Sequence, residues 1–247
     1  MSHFLLFAAV GFLAQLIDGV LGMAYGVSAT TFLLTFGVPP AMASAATHAA
    51  EVVTTGFSAA SHLGFGNVNR RLVRALLIPG IVGGVAGAYI LVHVPGERMR
   101  PFTAAYLLIM GVVILVKARR RAEHAEVQTH LVPLGLAGGF FDAIGGGGWG
   151  PIVTGTLLAR GNAPRETIGS VNFAEFFVTL AASLTFIATI GLTHWTAIVG
   201  LAAGGAVAAP LAAWAAKRVP ARGLMVVVGV VVILLSLRTI AVSVLGR

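Results

Sequence analysis

Polar and charged residues cut the chain into eight apolar stretches, at roughly 3–36, 41–63, 75–94, 101–116, 131–159, 166–189, 196–216 and 223–243. Most are close to the roughly 20 residues a helix needs to cross the hydrocarbon core of a bilayer. The first and fifth are longer, and each is interrupted by glycine, at Gly22 and at Gly145 to Gly148. The pattern predicts an all-α polytopic membrane protein in which two of the segments are broken.

The last four stretches echo the first four. A shift of 124 residues without a gap aligns Gly11 with Gly135, Asp18 with Asp142, Gly22 with Gly146, Gly26 with Gly150, Pro40 with Pro164 and Glu51 with Glu175. Glycine matches are cheap in this chain, but acids are scarce, and four of its eight fall into two of these pairs. A shift of 125 keeps the register further on, bringing Gly66 onto Gly191 and Pro95 onto Pro220. The expected organisation is a first membrane repeat over 1–122, a polar linker over 123–130 and a second repeat over 131–247, together forming one transport domain.

The charges then choose between two topologies. If each stretch crosses once, the basic loop residues divide almost evenly between the two sides. If the two broken stretches instead dip in and return, Arg70, Arg71, Arg74, Lys117, Arg119, Arg120, Arg121, Arg160, Arg165, Lys217, Arg218 and Arg222 share one side, leaving Arg98, Arg100 and Arg247 on the other. Positive residues collect on the cytoplasmic side of membrane proteins. The expectation is therefore six full crossings, two re-entrant hairpins and two inverted repeats, with both termini outside. Many secondary transporters are built this way, with sites at broken helices near the midplane.

Composition agrees. The chain is 57% hydrophobic and 10% charged, with a mean hydropathy of +0.95, whereas soluble domains carry about 25% charged residues. The opening MSHFLLFAAVGFLAQLIDGV lacks a basic leader and carries Asp18, so it reads as a first membrane segment rather than a signal peptide. The net charge of +8 is accounted for by basic loops, so no nucleic-acid partner is expected. No cysteine is present for thiolate or disulfide chemistry, and no metal-ligand or nucleotide motif calls for a cofactor.

Candidate chemistry lies at the breaks and just after them. The tips read QLIDGVLGMAYG and FFDAIGGGGWGP. Irregular backbone at membrane depth is tolerated only where protein or water satisfies it, and a helix N-terminus favours a bound anion. Gly22, Gly146, Gly147 and Gly148, with Tyr25 and Trp149 beside them, are therefore expected at a substrate site. Gly80, Gly83, Gly84 and Gly87, spaced as small-xxx-small, are expected to pack helices instead. The segments after the hairpins place Thr47 and Glu51 one turn apart, with His48 and Ser44 adjacent, and in the other half Glu175 with Ser170 and Asn172. An ionised carboxylate in a bilayer is costly. Glu51 and Glu175 thus read either as proton-coupling groups or as neutral braces for the hairpin backbone. Asp18 and Asp142 read either as coupling acids or as braces for the hairpin turns. His62 and His194 are expected at the interface.

The stretch GNVNRRLVRALLIPGIVGGVAGAYI, its echo IGLTHWTAIVGLAAGGAVAAPLAAWAAKRVP, and the two glycine-rich openings together resemble the TauE/SafE sulfite exporters, across essentially the whole chain. That resemblance implies a multi-pass protein of the bacterial inner membrane that exports a small sulfur-containing anion such as sulfite, sulfoacetate or another organosulfonate. Proton linkage and a homodimer are left open. The alternatives are an importer or channel for another small anion, and an intramembrane lipid-phosphate phosphatase, which would want a Lys or Arg at a hairpin tip.

Overall fold

The computed structural model describes residues 2–21, 23–119, 130–160, 162–215 and 221–245. Gly22, Arg120, Arg121, Gly161, Lys217, Arg218, Pro220, Arg247 and all of the expected linker except His130 lie outside the described residues. The rest folds into helices alone: α1 (Ser2–Leu21), α2 (Tyr25–Thr35), α3 (Pro40–Gly64), α4 (Arg70–His93), α5 (Gly96–Arg119), α6 (Leu131–Gly145), a π-turn (Gly150–Thr154) running into α7 (Gly155–Ala159), then α8 (Pro164–Ile190), α9 (Trp195–Ala215) and α10 (Ala221–Leu245). Among the described residues four helices are long and apolar enough to cross a membrane, over Arg70–His93, Gly96–Arg119, Glu166–Ile190 and Met225–Leu245, and shorter apolar helices accompany them. α3 is as long as these, but its buried face carries Ser44, Thr47, His48, Glu51, Thr54 and Thr55, which makes it too polar to join them. Large aliphatic side chains such as Ile78, Val82, Ile109, Leu184, Val227 and Leu234 point outwards, as they do in a protein whose solvent is lipid.

The breaks follow from local chemistry. α6 stops because Gly146 takes a left-handed conformation (φ 68°), which leaves the Gly147 N–H on the Asp142 carbonyl at 2.9 Å. Proline opens α3 and α8, and the Asn69 side chain caps α4 through the N–H groups of Arg71 and Leu72 at 3.0 and 3.3 Å. That cap corrects the loop expected around the first basic cluster: Arg70, Arg71 and Arg74 form the opening turns of α4. Arg98, Arg100, Lys117 and Arg119 likewise belong to α5. Long basic side chains can keep their charges in water from the last turns of a helix.

Packing exchanges the halves. α1 lies along α9 and α6 along α4, while α3 meets α8 and α5 meets α10. The seams are glycine: a Cβ on Gly11 would run into the Leu201 backbone, and one on Gly135 into that of Leu76. Gly205 faces Tyr25 and Thr54 just as Gly80 faces Trp149 and Val178. Under the 124 to 125 residue shift each of these contacts becomes its counterpart. The packing expected of Gly83 and Gly87 is found, against Leu136 and Phe140, and Gly139 touches the Gly80 carbonyl.

The two ends of the bundle have distinct sets of contacts. At one end, Arg100 Nη2 donates to Leu34 O at 2.9 Å, Arg238 Nη1 to Thr35 O at 3.1 Å, and Thr193 Oγ1 to Met42 Sδ at 3.3 Å. At the other, Asn69 N donates to Ser170 Oγ at 2.8 Å and Asn69 Nδ2 to Glu166 Oε2 at 3.3 Å, while Leu72 and Leu131 pack against one core cluster.

Candidate functional site

Where the two breaks meet, α3 supplies most of the chemistry. Its buried stripe sets His48 Nε2 3.1 Å from Asp142 Oδ2 on α6, and His48 Nδ1 2.9 Å from the Ser44 carbonyl, both side chains being essentially inaccessible. A ring nitrogen aimed at a backbone carbonyl must carry its proton, so Nδ1 is the donor to Ser44. The other oxygen of Asp142, Oδ1, accepts the Trp149 N–H at 2.9 Å. In the other half Asp18 Oδ1 accepts the Tyr25 N–H at 3.3 Å. Both aspartates thus make the same bond, to the backbone N–H of the seventh residue on.

The second tip is closed by hydroxyls. An interrupted helix leaves its last carbonyls without internal partners. Here Ser44 Oγ donates to Ala143 O at 2.6 Å, Thr30 Oγ1 to Gly146 O at 2.5 Å and Tyr106 OH to Gly147 O at 3.0 Å, with Thr47 Oγ1 3.0 Å from Thr30. The four glycines are buried. A Cβ on Gly145 would strike the Tyr106 ring, on Gly146 Thr30, on Gly147 the backbone of Gly26 and Val27, and on Gly148 the Tyr106 hydroxyl. The tips therefore touch, Gly26 against Gly147. In this conformation the glycines serve close approach, and an anion would have to part them.

Glu51 completes the cluster. It is 4% exposed, and its Oε2 is buried with no hydrogen-bond partner among the described residues. It interacts electrostatically with Asp142, His48 and Asp18, and Glu175, on α8, with Glu51, Asp18 and Asp142. Four carboxyls and one imidazole thus form a single electrostatic unit, into which no lysine or arginine enters among the described residues. A small anion would meet strong repulsion there unless protons bound with it.

Other expected site residues lie elsewhere. Ser170 receives the Asn69 N–H at the far end of α8, and Asn172 donates to Ser58 Oγ at 2.9 Å rather than to an acid. Tyr25 and Trp149, expected beside the tip glycines, are buried. Their polar atoms donate to Leu201 O and Val171 O, both at 3.2 Å. Gly22 is outside the described residues. Thr30 and Tyr106 carry no sequence motif that marks them for the site, and Lys117 reads in the sequence only as a basic loop residue. Thr30 has only the signal of the repeat, the 124-residue shift pairing it with Thr154. Tyr106 and Lys117 act across the two halves, where a self-alignment is silent.

The chain compares with known proteins as follows. A family model described as "Sulfite exporter TauE/SafE" matches residues 7–239. The "Probable membrane transporter protein YtnM" of Bacillus subtilis (strain 168) is 42% identical over 250 residues, covering 97% of this chain and 83% of that protein. No solved structure matches. With a family model spanning nearly the whole chain and a transporter relative matching it almost end to end, the protein belongs to the sulfite exporter TauE/SafE family of membrane transporters.

Proposed function

We propose that the protein is a secondary transporter that exports a small sulfur-containing anion, sulfite or an organosulfonate, across a bacterial inner membrane by alternating access, with protons moving in linkage. The observation that carries this reading is the unit of Asp18, Glu51, Asp142, Glu175 and His48 at the meeting of the two broken segments. Wherever these carboxyls ionise they repel an anion. Proton uptake removes that repulsion, so proton and anion occupancy favour each other. A membrane potential negative inside also drives an anion outwards, by about 2.3 kcal/mol per charge per 100 mV. The family description names sulfite, and sulfite is the first substrate to test. In proteoliposomes Glu51→Gln and His48→Ala are expected to lower pH-dependent sulfite flux about tenfold or more, within the range for loss of a proton-transfer group. Variants that matched wild type would remove the cluster from the mechanism.

The same reading assigns six crossings and two re-entrant hairpins in inverted repeats. It draws support from the exchange of contacts between halves and from the separate ends reached by residues 34–42 and 166–170. Cysteines at Phe36 and Thr193 are expected to label from one side of the membrane, and cysteines at Arg70 and Ala163 from the other. Labelling of Phe36→Cys and Ala163→Cys from the same side would rule the hairpins out.

A further inference from the structure

The charge that the acid cluster leaves unused is Lys117, half-buried on α5. Its place is prepared by two features of the backbone. The π-turn diverts the Gly155 N–H to the carbonyls of Gly150 and Ile152, so the Pro151 carbonyl is left for the Lys117 ammonium, which donates to it. Gly155 has no side chain, and a Cβ there would stand where the lysine amine lies. π-turns of this kind recur at functional positions.

An ammonium has three N–H donors; one is spent on Pro151. The only ion pair among the described residues is His48 with Asp142, so Lys117 has no carboxylate partner there. A cation partly withdrawn from water without a counter-ion bears some of that desolvation cost, and a small anion beside it would offset it. The location suits a first stop. Lys117 is eleven residues along α5 from Tyr106, about 16 Å at 1.5 Å per residue. Tyr106 touches the glycine tip, while Lys117 lies towards the end carrying Arg119 and the start of α8.

We propose that Lys117 is a docking site for the transported oxyanion at the basic end of the protein, exchanging the Pro151 carbonyl for an anion oxygen. The proposal rests on the transport reading above. It also ties capture to movement. When the ammonium turns to the anion, the π-turn of the second hairpin loses its brace.

The test uses sulfite as the probe, with purified full-length protein in proteoliposomes loaded so that sulfite meets the basic end. Lys117→Met is expected to raise KM about ten- to a hundredfold, the worth of a hydrogen bond to a charged group, with Lys117→Arg close to wild type. Gly155→Ala evicts the amine from the carbonyl but keeps the charge, and is expected to leave KM unchanged or lower it. If Lys117 were only a strut for the π-turn, Lys117→Met and Gly155→Ala would behave alike, and that result overturns the proposal. So does an unchanged KM in Lys117→Met. A wild-type protein that moved no sulfite would overturn the transport reading instead. The lysine would then be judged by melting temperature: sulfite stabilising wild type but not Lys117→Met sustains the site, and any other pattern overturns it. Should Lys117→Met fail to assemble, the comparison of Gly155→Ala with wild type decides, a raised KM counting against the proposal.

Discussion

Asp142→Ala is expected to abolish sulfite flux and to cost about 3–5 kcal/mol of stability, the range for removing one partner of a buried charged pair. Two functions are lost together. The imidazole of His48, inaccessible to water, loses its carboxylate at 3.1 Å, and the Trp149 N–H loses the bond that closes the glycine tip. Asp18→Ala provides the internal control. Its aspartate makes the equivalent bond to Tyr25 but has no histidine beside it, since Asn172 stands at the place matching His48 and turns to Ser58. That variant is expected to lose only about 1–3 kcal/mol, the cost of leaving one buried donor unpaired. Denaturant titration in lipid bicelles would measure both. Equal losses for the two variants would mean that the His48 contact contributes nothing.

Gly139→Leu is expected to prevent assembly altogether. Even the Cβ of a new side chain at Gly139 would overlap the Gly80 carbonyl oxygen on α4, and because the obstacle is backbone no rotamer avoids it. The helices would have to separate, and Gly80 also lies on the Trp149 ring, so the disturbance reaches the tip. Overpacking against movable side chains typically costs about 1–3 kcal/mol, and a rigid seam should exceed that. Gly223→Leu is the matched control, because a Cβ there meets nothing within 4 Å. Size-exclusion chromatography of the two variants should return a monodisperse peak for Gly223→Leu and little or none for Gly139→Leu. A well-folded Gly139→Leu would refute the tight seam.

Much of this architecture was legible in the sequence because its cause is local. Glycine and proline interrupt helices wherever they occur, so the stretches at 41–63 and 166–189 anticipate α3 and α8 closely, and the break at Gly145 to Gly148 is where α6 ends. The duplication added more: four scarce acids in register pointed to the two turn-bracing aspartates and to the two glutamates of the central unit. What stayed hidden joins distant parts of the chain. The partner of His48 is 94 residues away, and the hydroxyls that cover the glycine tip come from α2, α3 and α5. No periodicity reports which helix will lie opposite. Charge counting also misjudged individual residues while giving a useful sum. Lys117 falls in a basic cluster that reads as a loop, yet α5 continues through it and its ammonium reaches the Pro151 carbonyl; Arg238 lies inside an apolar stretch, yet it donates to the last carbonyl of α2.

The interlocking of the halves has a consequence for synthesis. The face of α1 around Gly11 is completed by Leu201, about 190 residues later, and at roughly 5–20 residues per second the ribosome needs about 10–40 s to deliver it. Throughout that interval the Gly11 face of α1 lacks the backbone it packs against. The first half is thus an unfinished nascent product that quality-control proteases can engage, and slowing of translation anywhere between the two repeats should reduce the yield of mature protein without any change in its sequence.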